Sequence, residues 1–240
     1  MATLFISDLH LSAERPDITS LFIHFLKHEA RQAEALYILG DLFEAWLGDD
    51  MVLPEYTDAI ASMKALSDSG VPLFIMHGNR DFLLGQAFAA MSGTILLDDP
   101  TTIDLYGKPT LLLHGDTLCT DDVAYQQFRS MVRNPAWQQE MLARNPAERL
   151  ALAKQYREIS QTETGNKAED IMDVNQQAVE RLMLDEGIYH MIHGHTHRPA
   201  IHDFAIDNQP AQRIVLGDWY EQGSVLQCDK HGCELQGLHL

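Results

Sequence analysis

Residues 3–10 read "TLFISDLH", an apolar run the length of a strand that stops on Asp8 and His10 instead of continuing into a helix. The same arrangement recurs down the chain. "LYIL" (36–39) runs into Gly40-Asp41, "PLFIM" (72–76) into His77-Gly78-Asn79-Arg80-Asp81, "TLLL" (110–113) into His114-Gly115-Asp116, and "YHMI" (189–192) into His193-Gly194-His195-Thr196-His197. Continuous apolar runs fit strands covered on both faces, and the first three are separated by stretches of helical periodicity at 17–33 and 54–69. The pattern predicts a layered α/β domain. In such sheets the loops leaving the carboxyl ends of the strands gather at one rim, so the five polar clusters are expected to share one site.

Beyond His114 the pattern changes. Residues 121–186 read as helical segments broken at Asn134-Pro135, Asn145-Pro146 and Thr164-Gly165-Asn166, an insertion or cap between core segments 1–120 and 187–240. Strand character returns at 188 and persists through "QRIVLGDW" (212–219), "SVLQCD" (224–229) and "CELQGL" (233–238), expected to end in an antiparallel set that completes a two-sheet core. With no Pro/Gly/Ser-rich linker, the cap is expected to join the core without a flexible tether.

The 240 residues, 45% of them hydrophobic, can bury a substantial core. Thirty-five acidic against 17 basic residues give a net charge of −18, which repels an exposed phosphate backbone and argues against nucleic acid as a partner. Cys119, Cys228 and Cys233 are an odd number in a chain too large to need disulfide staples, which fits a reducing, cytosolic compartment. Asp8 and His10 interrupt the first apolar run, which also lacks the basic start of a signal peptide. No run reaches the roughly 18 apolar residues of a spanning helix, so any membrane contact is expected to be peripheral.

The candidate metal ligands are Asp8, His10, Asp41, Asn79, His114, His195 and His197. Carboxylate, amide oxygen and imidazole without thiolate suit manganese, iron, zinc or a similar ion in a working site, not a structural thiolate zinc. If Asp41 bridges two ions, Asp8, His10 and His197 complete one side and Asn79, His114 and His195 the other. Such a pair would activate water for attack on phosphorus, with Arg80 gripping the phosphoryl oxygens through two donors. Asn79, Arg80 and His195 are the candidate catalytic residues. Gly194 is read as letting the backbone pass close beneath the site, and His193 as a support for the ligand loop. Asp81 and Asp116 either orient neighbours or serve as caps.

In their order, "SDLH", "GDLFE", "GNRDF", "HGD" and "GHTH" (residues 7–197) resemble the signature of the calcineurin-like metallophosphoesterases. That resemblance implies a double β-sandwich flanked by helices and a two-metal hydrolase. Longer stretches, "GDLFEAWLGDD" (40–50), "GNRDFLLG" (78–85), "HGDTLCTDD" (114–122), "SQTETGNKAEDIMDVN" (160–175) and "GDWYEQGS" (217–224), resemble the subfamily of bacterial pyrophosphatases in lipid A biosynthesis. It implies manganese, and water attack on the pyrophosphate of UDP-2,3-diacylglucosamine to give UMP and 2,3-diacylglucosamine 1-phosphate (lipid X). It further implies substrate contacts at Asn79, Arg80, Asp122, Ser160, Thr164, Lys167 and His195, and a place at the cytoplasmic face of the bacterial inner membrane. Read from the residues alone, Asp122 is equally a helix N-cap, and Ser160, Thr164 and Lys167 a polar turn.

Residues 121–160 carry six basic against five acidic residues, +1, while the remainder carries eleven against thirty, −19. With Phe128, Met131, Trp137, Met141 and Leu150 interspersed, this segment is expected to line an acyl-chain pocket and to approach anionic lipid. No obligate protein partner is evident. Two other readings stand beside the lipid enzyme: a dimetal phosphodiesterase acting on a soluble nucleotide or phosphoprotein, and a binding scaffold that has lost activity.

Overall fold

In β1 (Thr3–Ile6) every side chain is buried, yet neighbours along the strand face different partners. Leu4 and Ile6 pack with helical residues such as Phe22 and Phe25, whereas Phe5 packs with Leu112, Ile192 and Ile214 of a second sheet. A strand with apolar material on both sides needs an unbroken apolar run, which is why these strands read as continuous instead of alternating. The computed structural model describes residues 1–164, 173–220 and 222–238, without the side chains of 159–164.

The first sheet continues from β1 through β2 (Ala35–Leu39), β3 (Leu73–Met76) and β4 (Ile95–Leu97), all parallel. The second contains β5 (Thr101–Leu105), β6 (Lys108–Leu113), β7 (His190–His193), β8 (Ala200–Ile206) and β9 (Gln209–Val215), in the order β5-β6-β7-β9-β8. The last strands, β10 (Gly223–Asp229) and β11 (Gly232–Leu238), return to the first sheet, whose order is β11-β10-β1-β2-β3-β4. The closing strands therefore do not form one antiparallel set. β9 lies parallel to β7 in one sheet, and β10 pairs antiparallel with β1 in the other, because "LGDW" carries the chain across between them.

Helices α1 (Pro16–Lys27), α2 (Thr57–Asp68) and α3 (Gln86–Ser92) cover the outer face of the first sheet. Within 121–186 come α4 (Val123–Val132), α5 (Pro135–Ala143), α6 (Pro146–Thr164) and α7 (Gln176–Glu186). The Asn-Pro break is a helix start: Asn134 Oδ1 accepts from Ala136 N with Pro135 in the first turn, where its missing N–H costs nothing. Val179 and Met183 of α7 pack with Leu111, Leu113 and Met191, so α7 covers the outer face of the second sheet. The layers run helix, sheet, sheet, helix, the double sandwich flanked by helices.

Cys228 and Cys233 are joined in a disulfide, although the chain is large enough to need no such staple. The β10–β11 register sets them directly opposite one another, a proximity that counting cannot reveal. Cys119 lies outside that disulfide and is buried, with its thiol pushed up to about 12 by burial and surrounding carboxylates.

A candidate metal centre at the strand ends

The loops after β1, β2, β6 and β7 leave the same edge of the sandwich, and their backbones are strained there. Asp8, His10, Asp41, His195 and His197 all take positive φ, between 49° and 70°, which costs a non-glycine residue on the order of 1–3 kcal/mol. Surrounding bonds hold that geometry: Asp8 N donates to Gly40 O at 3.1 Å, His10 N to Asp41 O at 3.0 Å, and Gly194 N to His114 O at 2.8 Å. Two glycines make the approach possible. A Cβ on Gly78 would lie 2.1 Å from Asp41 Oδ1, and one on Gly194 would lie 2.4 Å from Asp8 Oδ2.

All seven predicted ligands converge. Asp41 Oδ2 is 3.8 Å from His10 Nε2 and 3.8 Å from His114 Nε2, midway between two groups. On one side Asp8, His10 and His197 could hold an ion, with His197 Nε2 3.4 Å from Asp8 Oδ1. On the other, Asn79 Oδ1 accepts from His114 Nε2 and His195 Nδ1, both at 2.9 Å. Asp8 belongs to a second potential ligand group with Asp41 and His114, so the two sides adjoin.

Outer contacts aim these rings. His10 Nδ1 lies 3.2 Å from Glu44 Oε2, His197 Nδ1 3.1 Å from Asp218 Oδ2, and His114 Nδ1 donates to Leu39 O at 2.8 Å. Ser7 Oγ and His195 N both donate to Asp8 Oδ2. Burial opposes charge on Asp8, but His197, His114 and His10 hold its carboxyl far below the usual range. Burial likewise opposes protonation of His114 and His197, yet Asp41 and Asp8 push His114 up to about 9, and Asp218 and Asp8 push His197 up to about 10. His195 is drawn down to about 4 by burial and the charge of His114. Among the described residues, Asp8 Oδ1 and His10 Nε2 are buried without a hydrogen-bond partner. Buried, orphaned donor atoms of oxygen and imidazole type, around a shared carboxylate, fit divalent cations.

Three expectations beside the ligands resolve differently. His193 lies beneath the loop: its Nδ1 donates to Gly194 O at 2.8 Å. Asp81 accepts from Leu42 N and Gly78 N, tying two loops together, and leaves Arg80 alone. Asp116 accepts from Tyr125 Oη at 2.6 Å and Arg129 Nε at 2.8 Å, and so anchors α4 instead of orienting a ligand. Arg133 reinforces that anchor by donating to Gly78 O.

Beside the rim opens a cavity of about 860 Å³. Its lining includes the polar Asn79, Arg80, Asp122 and Arg157 and the apolar Trp46, Phe82, Phe128, Trp137 and Met141. Asp122 caps α4, its Oδ1 accepting from Tyr125 N, while also facing the cavity. The side chains of Ser160 and Thr164, and Lys167 altogether, lie outside the described residues. Sequence reasoning missed Glu44 and Asp218, although a signal was present: "RIVLGD" (213–218) repeats the strand-then-Gly-Asp form of "LYILGD" (36–41).

Residues 1–199 match the calcineurin-like phosphoesterase family. Over 246 residues the chain is 53% identical to a protein of Stenotrophomonas maltophilia named UDP-2,3-diacylglucosamine hydrolase, with 99% of each chain covered. Proteins of the same name from Serratia proteamaculans (53% identity, 98% of each chain) and Aeromonas hydrophila (54%, 95% of each chain) are similarly close. Among solved structures, an archaeal phosphodiesterase shares the fold, with a TM-score of 0.50 at 13% identity over 99% of this chain and 100% of the other.

Proposed function

The chain belongs to the calcineurin-like phosphoesterase family, and from that premise we propose that it hydrolyses the pyrophosphate bond of UDP-2,3-diacylglucosamine. The products are UMP and 2,3-diacylglucosamine 1-phosphate. The observation that carries this reading is one large cavity that takes in Asn79 of the rim together with Arg80 and, in the same lining, many aromatic and aliphatic side chains. A diacyl sugar nucleotide needs both: a charged end for phosphates, and an apolar end where acyl chains leave water at about 25 cal/mol per Å².

Asp8, His10, Asp41, Asn79, His114, His195 and His197 would hold two divalent ions, and manganese suits a donor set without thiolate. When bound, such ions polarise water and phosphoryl oxygens. The chain's own residues do the rest. Arg80, beside Asn79 at the cavity mouth, presents a guanidinium to the phosphoryl oxygens, and its NH1 is only 4.0 Å from Glu44 Oε1, which steadies it. His195 Nδ1 donates to Asn79 Oδ1 at 2.9 Å, which ties that imidazole to the residue next to Arg80. Asp122 is assigned to the sugar or nucleotide end, together with Ser160, Thr164 and Lys167 on the strength of the motif they belong to.

Within the 121–186 insertion, α4–α6 are assigned the sheltering of the acyl chains, while α7 packs on the second sheet. Contact with anionic lipid of the inner membrane's cytoplasmic face is part of the proposal, supported by the exposure of Val123, Met131, Leu142 and Leu150. Its electrostatic share is smaller than the charge count promised, because Arg149 is buried against Asp50 and Leu47 O, while Arg129 and Arg133 bond the core. Among the described residues no helix is long and apolar enough to cross a membrane.

Turnover of UDP-2,3-diacylglucosamine by manganese-reconstituted protein in detergent, with products identified by mass spectrometry, tests the reading. UMP and the diacylated sugar phosphate are expected. Cleavage of a soluble phosphodiester alone would establish the alternative phosphodiesterase, and no turnover of either would favour the scaffold.

A further inference from the structure

Against Thr196, the residue between His195 and His197, lies a second cavity of about 240 Å³, lined also by Asp173, Arg198, His202 and Arg213 among others. Arg213 is its unusual feature. It sits on β9, only 7% exposed, and its NH1 meets His193 Nε2 at 3.1 Å. His193 Nδ1 faces a carbonyl oxygen, which can only accept, so Nδ1 carries the hydrogen. Guanidinium has only donors, so Nε2 must accept, and the imidazole between them is neutral. The charge of Arg213 is therefore not offset by its hydrogen-bond partner.

One neighbour offsets it only in part, since Asp173 favours the charged guanidinium from across the cavity against the cost of burial. Asp173 is the carboxylate of this cavity, but its Oδ2 accepts from Arg198 NH1 at 2.8 Å and its Oδ1 from Val174 N. Among the described residues, Arg213 Nε and Thr196 Oγ1 are both buried without a hydrogen-bond partner. His202 stands opposite Arg213 in the β8–β9 register. A buried cation with an unused donor, a second unused hydroxyl and a cavity between them is costly unless an anion completes it.

We infer that this cavity is a binding site for a small tetrahedral oxyanion of the phosphate type, held by Arg213 and the Thr196 hydroxyl. The site is separate from the metal rim, although it shares the loop: Thr196 lies between His195 and His197, and Arg213 reaches Gly194 through His193. An occupant would brace the back of the loop on whose front the two histidines stand.

Crystals of the manganese-loaded protein soaked in selenate, an anomalous scatterer, test this directly. Selenate is expected beside Arg213 and Thr196, and absence of an anomalous peak there in the wild type would overturn the inference whatever happens at the metal rim. In Arg213→Met that peak should vanish while any peak at the rim remains, and selenate affinity at this site should fall about tenfold or more. Retention of the peak in Arg213→Met would also overturn it. Competition by inorganic phosphate alone would identify a free-phosphate site, and competition by UMP as well a site for phosphate monoesters. Because the readout is position, not turnover, it is independent of the substrate assigned above.

Discussion

The two sides of the metal rim are built from the same kinds of ligand but are backed differently. On the Asp8 side each histidine has a carboxylate behind it, Glu44 for His10 and Asp218 for His197. On the Asn79 side, His114 rests on the neutral carbonyl of Leu39, and Asn79 stands where a second carboxylate could have stood. A carboxylate behind an imidazole makes it a more basic ligand, and a carbonyl does so less. The Asp8 side thus has two backing carboxylates and the Asn79 side a carbonyl and an amide, while both reach the large cavity, one through Glu44 and the other through Asn79. Ions held at the two sides would therefore meet different amounts of negative charge.

The largest effect should come from the residue both sides share. Asp41→Ala removes the oxygen lying between His10 and His114, and turnover is expected to fall on the order of a thousandfold or more, with metal content per chain falling too. Unchanged turnover in a steady-state assay would remove the bridging role. Next come changes confined to one side. Asp218→Asn and Glu44→Gln leave all seven ligands intact and should weaken one ion by about 10–100-fold in a metal titration, with the other nearly unaffected. Equal weakening of both ions would break the comparison between the sides.

Those two backing residues also show where sequence reading stops. The meeting of Asp8, His10 and the other candidate ligands was legible because each follows an apolar strand, and strand ends of a layered sheet share a rim. Glu44 and Asp218 lie within the quoted motifs, but nothing in a chain of letters says which carboxylate faces the back of which ring. That depends on loop conformations such as the positive φ at His10 and His197. The sandwich was legible from runs apolar on both faces, whereas the switch of the chain from β9 back to the first sheet was not, since either pairing satisfies the same apolar pattern. The basic residues of 121–160 misled in one respect: Arg149 counted as surface charge, yet a buried guanidinium bonded to three backbone carbonyls and Asp50 is a structural pin.

The smallest effect concerns protons, and it separates the sides without any assay of turnover. Without bound metal, Asp218 and Asp8 push His197 up to about 10, and Asp41 and Asp8 push His114 up to about 9, both above the ordinary 6.5. A group raised on folding stabilises fully below its unfolded pKa, and that stabilisation is lost as pH rises through the folded value. Stripped protein should therefore lose stability as pH climbs from about 6.5 toward 10, by an amount seen as a melting-temperature decrease of a few degrees. Manganese-loaded protein should lose less over the same window, because ligand nitrogens bound to metal have already given up their protons. Asp218→Asn removes the carboxylate behind His197 and should draw the upper edge of the window downward, leaving the part due to His114 in place. Thermal melts between pH 6 and 10 measure all three proteins. A stripped variant whose profile overlays that of the stripped wild type would mean that Asp218 does not set the basicity of His197, and the contrast between carboxylate-backed and carbonyl-backed histidines would lose its electrostatic basis.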